Sequence, residues 1–140
     1  MGAIRYIEHT ADAGVEITAD SREELFVLAA RALYQLVMDY DAVRAAEERK
    51  VTFTAADVGE LLHEWLAELL YILDADGWVA KQFAFKFADD NTRSEATLRG
   101  EPLDTERHRT HGEVKNVTYE DYIVERRDDG TWRARVIFDL

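Results

Sequence analysis

The sequence predicts an α+β fold in which two helices pack against a largely antiparallel or mixed β-sheet. Three observations predict it. Two stretches repeat apolar residues at intervals of three and four behind helix-start signals. Several shorter stretches alternate apolar and polar residues, as half-buried strands do. An Asp-Gly pair joins the last two of these, which is a strong hairpin signal.

Ile4–Ile7 and Val15–Ile17 are short strand candidates at the start. Ser21-Arg22-Glu23-Glu24 is a capping box: the Ser21 hydroxyl can accept an amide of the first turn while Glu24 reaches back. Behind it Leu25, Leu28, Ala29, Ala32, Leu33, Leu36 and Val37 form one apolar helical face. Val51–Phe53 is the next strand candidate. The second helix opens at Asp57, with Glu60 three residues on, and presents Leu61, Leu62, Trp65, Leu66, Leu69, Leu70 and Leu73. Gly77 is its natural stop. Phe83, Phe85 and Phe87 alternate with Ala84 and Lys86, and Glu95–Arg99 is a weaker strand. Asp104–Glu113, of mixed charge and with two histidines, is expected to be an exposed, mobile loop. Tyr122–Arg127 and Trp132–Phe138 make the hairpin across Asp128-Asp129-Gly130. No Gly/Ser/Pro linker splits the chain, so residues 1–140 are expected to form a single domain, of a size that supports a real core.

Composition narrows the function. A formal charge of −12 opposes the phosphates of nucleic acid, so no stable direct binding of RNA or DNA is expected; a basic protein partner or metal ions suit it better. With no cysteine, disulfides and thiolate metal sites are excluded. The first residues lack the apolar run of a signal peptide, and Leu61–Leu73 is interrupted by His63, Glu64 and Glu68, so neither export nor a membrane span is expected and the plain expectation is cytoplasmic. His63-Glu64-Trp65-Leu66-Ala67 begins like the helix of a zinc protease, but Ala67 stands where the second histidine must be, and His63 is expected on the flank of the helix. There is no phosphate-binding glycine loop and no Gly-x-Ser-x-Gly elbow.

One constellation points to chemistry. His9-Thr10-Ala11-Asp12 follows the first strand, and the chain stops on Asp139-Leu140. If Trp132, Ala134, Val136 and Phe138 face the core, Asp139 lies on the opposite face, and alternation continuing this close to the terminus argues that the end is pinned. Should the two ends meet, three acidic groups share one place and repel each other unless a cation sits among them. Spacing alone favours an ordinary turn in which Thr10 and Asp12 bond their own backbone and Ala13-Gly14 closes it. His9 is open to being a ligand, a neighbour of the ligands, or a histidine satisfied by backbone.

The ordered set of motifs resembles the archease family over essentially the whole chain. It comprises His9-Thr10-Ala11-Asp12-Ala13-Gly14, Glu24-Leu25-Phe26, Ala29-Ala30 and Trp65-Leu66-Ala67-Glu68-Leu69-Leu70-Tyr71. It continues with Gly100-Glu101, Asp104, His108, Val114-Lys115-Asn116-Val117-Thr118-Tyr119 and Ile137-Phe138-Asp139-Leu140. Two positions depart: Glu120 stands where the family often has histidine, and Ala67 where it often has asparagine. The resemblance implies a non-catalytic activator of the RtcB-type tRNA-splicing RNA ligase, which promotes guanylylation of the ligase's histidine and multiple turnover. It implies a divalent cation, calcium or magnesium, held by Asp12, Asp139 and Leu140, the last through its backbone or terminal carboxylate. Lys115 matches the family lysine, with contact to nucleotide phosphate or to an acidic group of the ligase as its implied role; a solvated lysine at a strand end is the plain alternative. A stand-alone metal-dependent hydrolase or nucleotidyl enzyme, and a chaperone-like protein-binding module, are the competing classes.

Overall fold

The computed structural model describes residues 2–9 and 12–140, with only the backbone of Glu8 and His9. It divides into two compact units, Met1–Val37 with Gly112–Leu140, and Met38–His111.

In the first unit, strands β1 (Ala3–His9) and β2 (Asp12–Ala19) precede helix α1 (Arg22–Val37), and β6 (Asn116–Val117), β7 (Ile123–Arg126) and β8 (Trp132–Asp139) follow. The sheet order is β1-β2-β8-β6, with β7 pairing β8 as well, and every pair is antiparallel. The alternation expected of the last strand holds: Ala134, Val136 and Phe138 are buried, and so are Val15 and Ile17 beside them on β2. On that face lies α1, with Leu25, Phe26, Ala29, Ala30 and Leu33 fully buried. The helix starts as its capping box dictates. The Glu24 amide donates to the Ser21 hydroxyl over 3.1 Å, and the Glu24 carboxylate accepts the Asp20 amide over 2.8 Å. The hairpin between β7 and β8 turns at Gly130, whose φ of 87° belongs to the region glycine tolerates best.

In the second unit, β3 (Glu47–Thr54), β5 (Arg93–Pro102) and β4 (Trp78–Phe87) form a three-stranded antiparallel sheet in that order. Helix α2 (Val58–Asp76) packs on all three strands. The Asp57 carboxylate caps it by accepting the Glu60 amide, and Gly77, at φ 58°, ends it in the left-handed region. All seven residues of its expected apolar stripe are buried. Trp65, fully buried, stacks on Phe53 at 5.3 Å and meets Phe85 edge-on at 5.0 Å.

Three local expectations are corrected. Ala13-Gly14 does not close a turn: both lie in β2, opposite Glu8 and Ile7, because cross-strand pairing continues to Asp12. Thr10 and Ala11 fall outside the described residues. The stretch from Asp104 is not a uniformly exposed loop, since His108 is fully buried. The Asp104 amide donates to His108 Nδ1 over 3.0 Å, so the ring proton lies on Nε2 and is donated to Glu101 over 2.9 Å. His63 is buried rather than placed on the helix flank. The two-residue strand β6 and a short 3-10 turn at Tyr40–Ala42 carry too little periodicity to be foreseen.

Candidate functional site

Strand register brings the sequence's candidate acids together. On β2 and β8, Asp12 stands directly opposite Asp139. Opposite residues of an antiparallel pair share a face, with Cβ atoms about 5 Å apart. The backbone of His9 is opposite Asp12, and Asn116 is opposite Asp139 on its other edge. One row across four strands therefore runs His9, Asp12, Asp139, Asn116. The end of β8 is pinned from both sides, because the Lys115 amide also donates to the Asp139 carbonyl over 2.8 Å. That bond places Lys115 next to the acid pair with its side chain exposed. Leu140, 41% exposed, continues from Asp139.

Asp12 and Asp139 are each half-buried. Two carboxylates in register offer only oxygen donors, the chemistry of a hard divalent cation rather than of zinc with thiolates. Among the described residues no group of three or more His, Cys, Asp or Glu side chains is arranged to hold an ion. The carboxylate side chains in register here are two, those of Asp12 and Asp139. The side chain of His9 lies outside the described atoms.

Further along the same face the chemistry changes. Arg5, Arg133 and Arg135 converge on Glu16, with Arg135 at 2.7 Å and Arg133 at 3.1 Å. Hydrogen bonds from Arg5 and then Arg135 hold the Glu16 carboxyl down to about 2, well below its ordinary range. Between this cluster and the acid row, a cavity of about 150 Å³ is lined by Ile7, Gly14, Asp121, Arg135 and Ile137. In the second unit, Glu101 plays a different part. It accepts from Arg107 at 2.6 Å, from His108 and from the Arg44 amide at 2.7 Å. Led by Arg107, these bonds likewise lower its carboxyl to about 2.

The conjecture that the two ends meet agrees with the register of Asp12 opposite Asp139, whereas Lys115 beside them was not foreseen and Asn116, Glu16 and Asp121 were not singled out. Asn116 was within reach, since it lies inside the Val114–Tyr119 motif. Glu16 had no local signal, because its three arginines come from elsewhere in the chain.

Comparison with known proteins matches this architecture. The model of the "Archease protein family (MTH1598/TM1083)" matches residues 4–140. The chain is 43% identical over 136 residues to the protein archease of Methanopyrus kandleri, covering 96% of each. It is 36% identical over 137 residues to that of Pyrococcus abyssi, again covering 96% of each. The solution structure of protein 1598 of Methanobacterium thermoautotrophicum superposes with a TM-score of 0.80 at 36% identity, over 98% of each chain.

Proposed function

The chain belongs to the archease family, and on that premise we propose that it is a non-catalytic activator of an RtcB-type RNA ligase, promoting guanylylation of the ligase's histidine and multiple turnover. The observation that supports this reading is the register pairing of Asp12 with Asp139 at the end of a sheet. Two half-buried carboxylates side by side repel each other, and a shared divalent ion, calcium or magnesium, relieves that repulsion. When bound, such an ion supplies positive charge against the phosphate oxygens of nucleotidyl transfer.

The chain's own residues supply position. Antiparallel pairing on both edges of β8 fixes Asp139, so the two carboxylates need little reorganisation to share an ion. A main-chain oxygen of Leu140 completes the set. Lys115, exposed and tied through its amide to the Asp139 carbonyl, presents an ammonium group beside the acids to a phosphate or to an acidic group of the ligase. In this reading the protein works in the cytoplasm and its partner is the ligase, not free nucleic acid: a chain of net charge −12 complements basic protein surface.

The test is ligase guanylylation under multiple-turnover conditions with Asp12→Ala and Asp139→Ala proteins whose circular dichroism matches the parent. Each variant is expected to lose stimulation. Full stimulation by both removes the acid pair from the mechanism.

A further inference from the structure

The two outer strands of the second unit's sheet are defended unequally. β3 and β4 each pair with β5 along one side, and among the described residues no further strand pairs with either. An outer strand offers its backbone to another chain unless charge, a bulge or a covering segment prevents it. β3 opens with four consecutive charged residues, Glu47 to Lys50, which blunt that edge. β4 is guarded at its start. There the Tyr40 hydroxyl donates to the Ala80 carbonyl over 2.6 Å, Lys81 donates to the Tyr40 carbonyl over 2.9 Å, and a bulge falls between Ala80 and Gln82. From Gln82 to Phe87 the strand is regular and carries one charge, on Lys86.

This run complements its own image. Phe83, Phe85 and Phe87 stand, half-buried, on the face that meets Trp65 of α2, while Gln82, Ala84 and Lys86 stand exposed on the other. The three rings form a continuous stack, with centroids 6.5 and 5.2 Å apart. Two copies of such a strand, antiparallel about a two-fold axis at Phe85, set Phe85 against Phe85 and Phe83 against Phe87. Every ring then meets a ring, and cross-strand aromatic pairs stabilise a sheet. On the exposed face Lys86 of each copy lies opposite Ala84 of the other, so no like charges meet there. Beyond the rings, the exposed Asp89 of each copy reaches the level of the other's Lys81, an opposite-charge pair at both ends. The neighbouring registers are worse. Centring on Lys86 sets two lysines against each other, and centring on Ala84 sets Phe87 against Lys81.

There is also room. Three strand spacings of about 4.8 Å would hold the β5 strands of the two copies about 14 Å apart. α2 packs on all three strands of its own sheet, so the two helices stand wider apart than the about 10 Å of directly packed helices. The phenylalanine rings of both copies occupy the space between them.

We propose that the Gln82–Phe87 edge of β4 is a self-association surface, through which two copies of this chain join their three-stranded sheets into one continuous sheet about a two-fold axis at Phe85. Six paired residues a side make a smaller contact than the about 800 Å² per partner typical of a stable complex. The dimer is therefore reversible and forms with rising concentration. The charge of −12 on each chain opposes it at long range, and salt screens that repulsion. The surface lies outside the unit that carries the acid row, so the proposal stands apart from the activator reading.

Sedimentation equilibrium over a concentration series, at about 0.15 M salt where charges are screened beyond about 8 Å, is the test. The parent is expected to move from the mass of one chain toward twice that mass. Ala84→Lys sets a lysine against Lys86 twice in the dimer and should weaken association about threefold or more. Ala84→Glu forms two opposite-charge pairs instead and should strengthen it by about the same factor. Ala84 is exposed, so both variants keep the fold. Thr52→Lys, at an exposed position on the other outer strand, should leave the parent's constant unchanged. A parent that stays monomeric up to about 1 mM overturns the proposal and leaves this edge to a different protein. A dimer indifferent to both Ala84 variants, or weakened as much by Thr52→Lys, overturns it by placing the contact elsewhere. Weakening by Ala84→Lys and Ala84→Glu alike overturns the register, and assemblies larger than a dimer contradict the two-fold axis.

Discussion

The unit formed by Met1–Val37 and Gly112–Leu140 covers one face of its sheet with α1 and ends the other face in Asp12 and Asp139. The Met38–His111 unit covers its sheet with α2 but commits its buried acid, Glu101, to Arg107, His108 and the Arg44 amide. Both helices are capped by the same chemistry, and both units hold one carboxylate near pKa 2 with arginines. The difference is what each acid is set against. In the second unit each hydrogen-bonding atom of the Glu101–His108 pair has a protein partner, so the pair clasps a loop and has no capacity left for a ligand. In the first, two carboxylates of like charge stand opposite each other across β2 and β8 at the end of the sheet. Identical residue types become a fastener in one place and a candidate binding site in the other.

Breaking the second unit's core should have the largest effect. Trp65→Ala removes the ring at the centre of the Phe53–Phe83–Phe85 cluster and should cost about 3–5 kcal/mol in urea denaturation. His108→Ala comes next. It deletes a fully buried ring, strands the Asp104 amide and leaves Glu101 Oε2 with the Arg44 amide alone, which should cost about 2–4 kcal/mol. If His108 is only a fastener, the same variant should keep calcium affinity and ligase stimulation at the parent's level when assayed well below its melting temperature. Loss of either would give it a functional role.

Acid sharpens the comparison further. Glu16 and Glu101 are both lowered from 4.5 to about 2. A carboxyl whose pKa falls on folding contributes stability that is present above its unfolded pKa and lost as pH drops toward its folded one. Urea stability should therefore decline between about pH 4.5 and pH 2. Glu101→Gln should be less stable than the parent near neutrality and should decline less steeply over that window. An unchanged slope would mean that Glu101 does not couple to folding.

Much of this was legible in the sequence because it is local. Ser21 with Glu24, Asp57 with Glu60, and Gly77 act within one turn of chain, and each does in the structure what its residue type dictates. The face on which Asp139 lies followed from the two-residue period of β8, although Ile137 on that same face is buried too. Its pairing with Asp12 could only be conjectured, since register is set by contacts between distant segments. The same limit explains the errors. Turn-forming residue types at Asp12–Gly14 yielded to pairing with β1 and β8, and the mixed charge around His108 hid a histidine whose burial depends on Glu101, seven residues upstream. The Gly14 cavity, lined from four separate stretches of chain, leaves no local trace at all.

Calorimetric titration of calcium into the parent, Asp12→Asn and Asp139→Asn proteins tests the central claim most directly. Removal of a neighbour of a metal ligand typically weakens affinity about 10–100-fold, so loss of a ligand itself should exceed about 100-fold. The account predicts one bound ion for the parent and a loss of that size in each variant. Equal heats and affinities in all three proteins would contradict it.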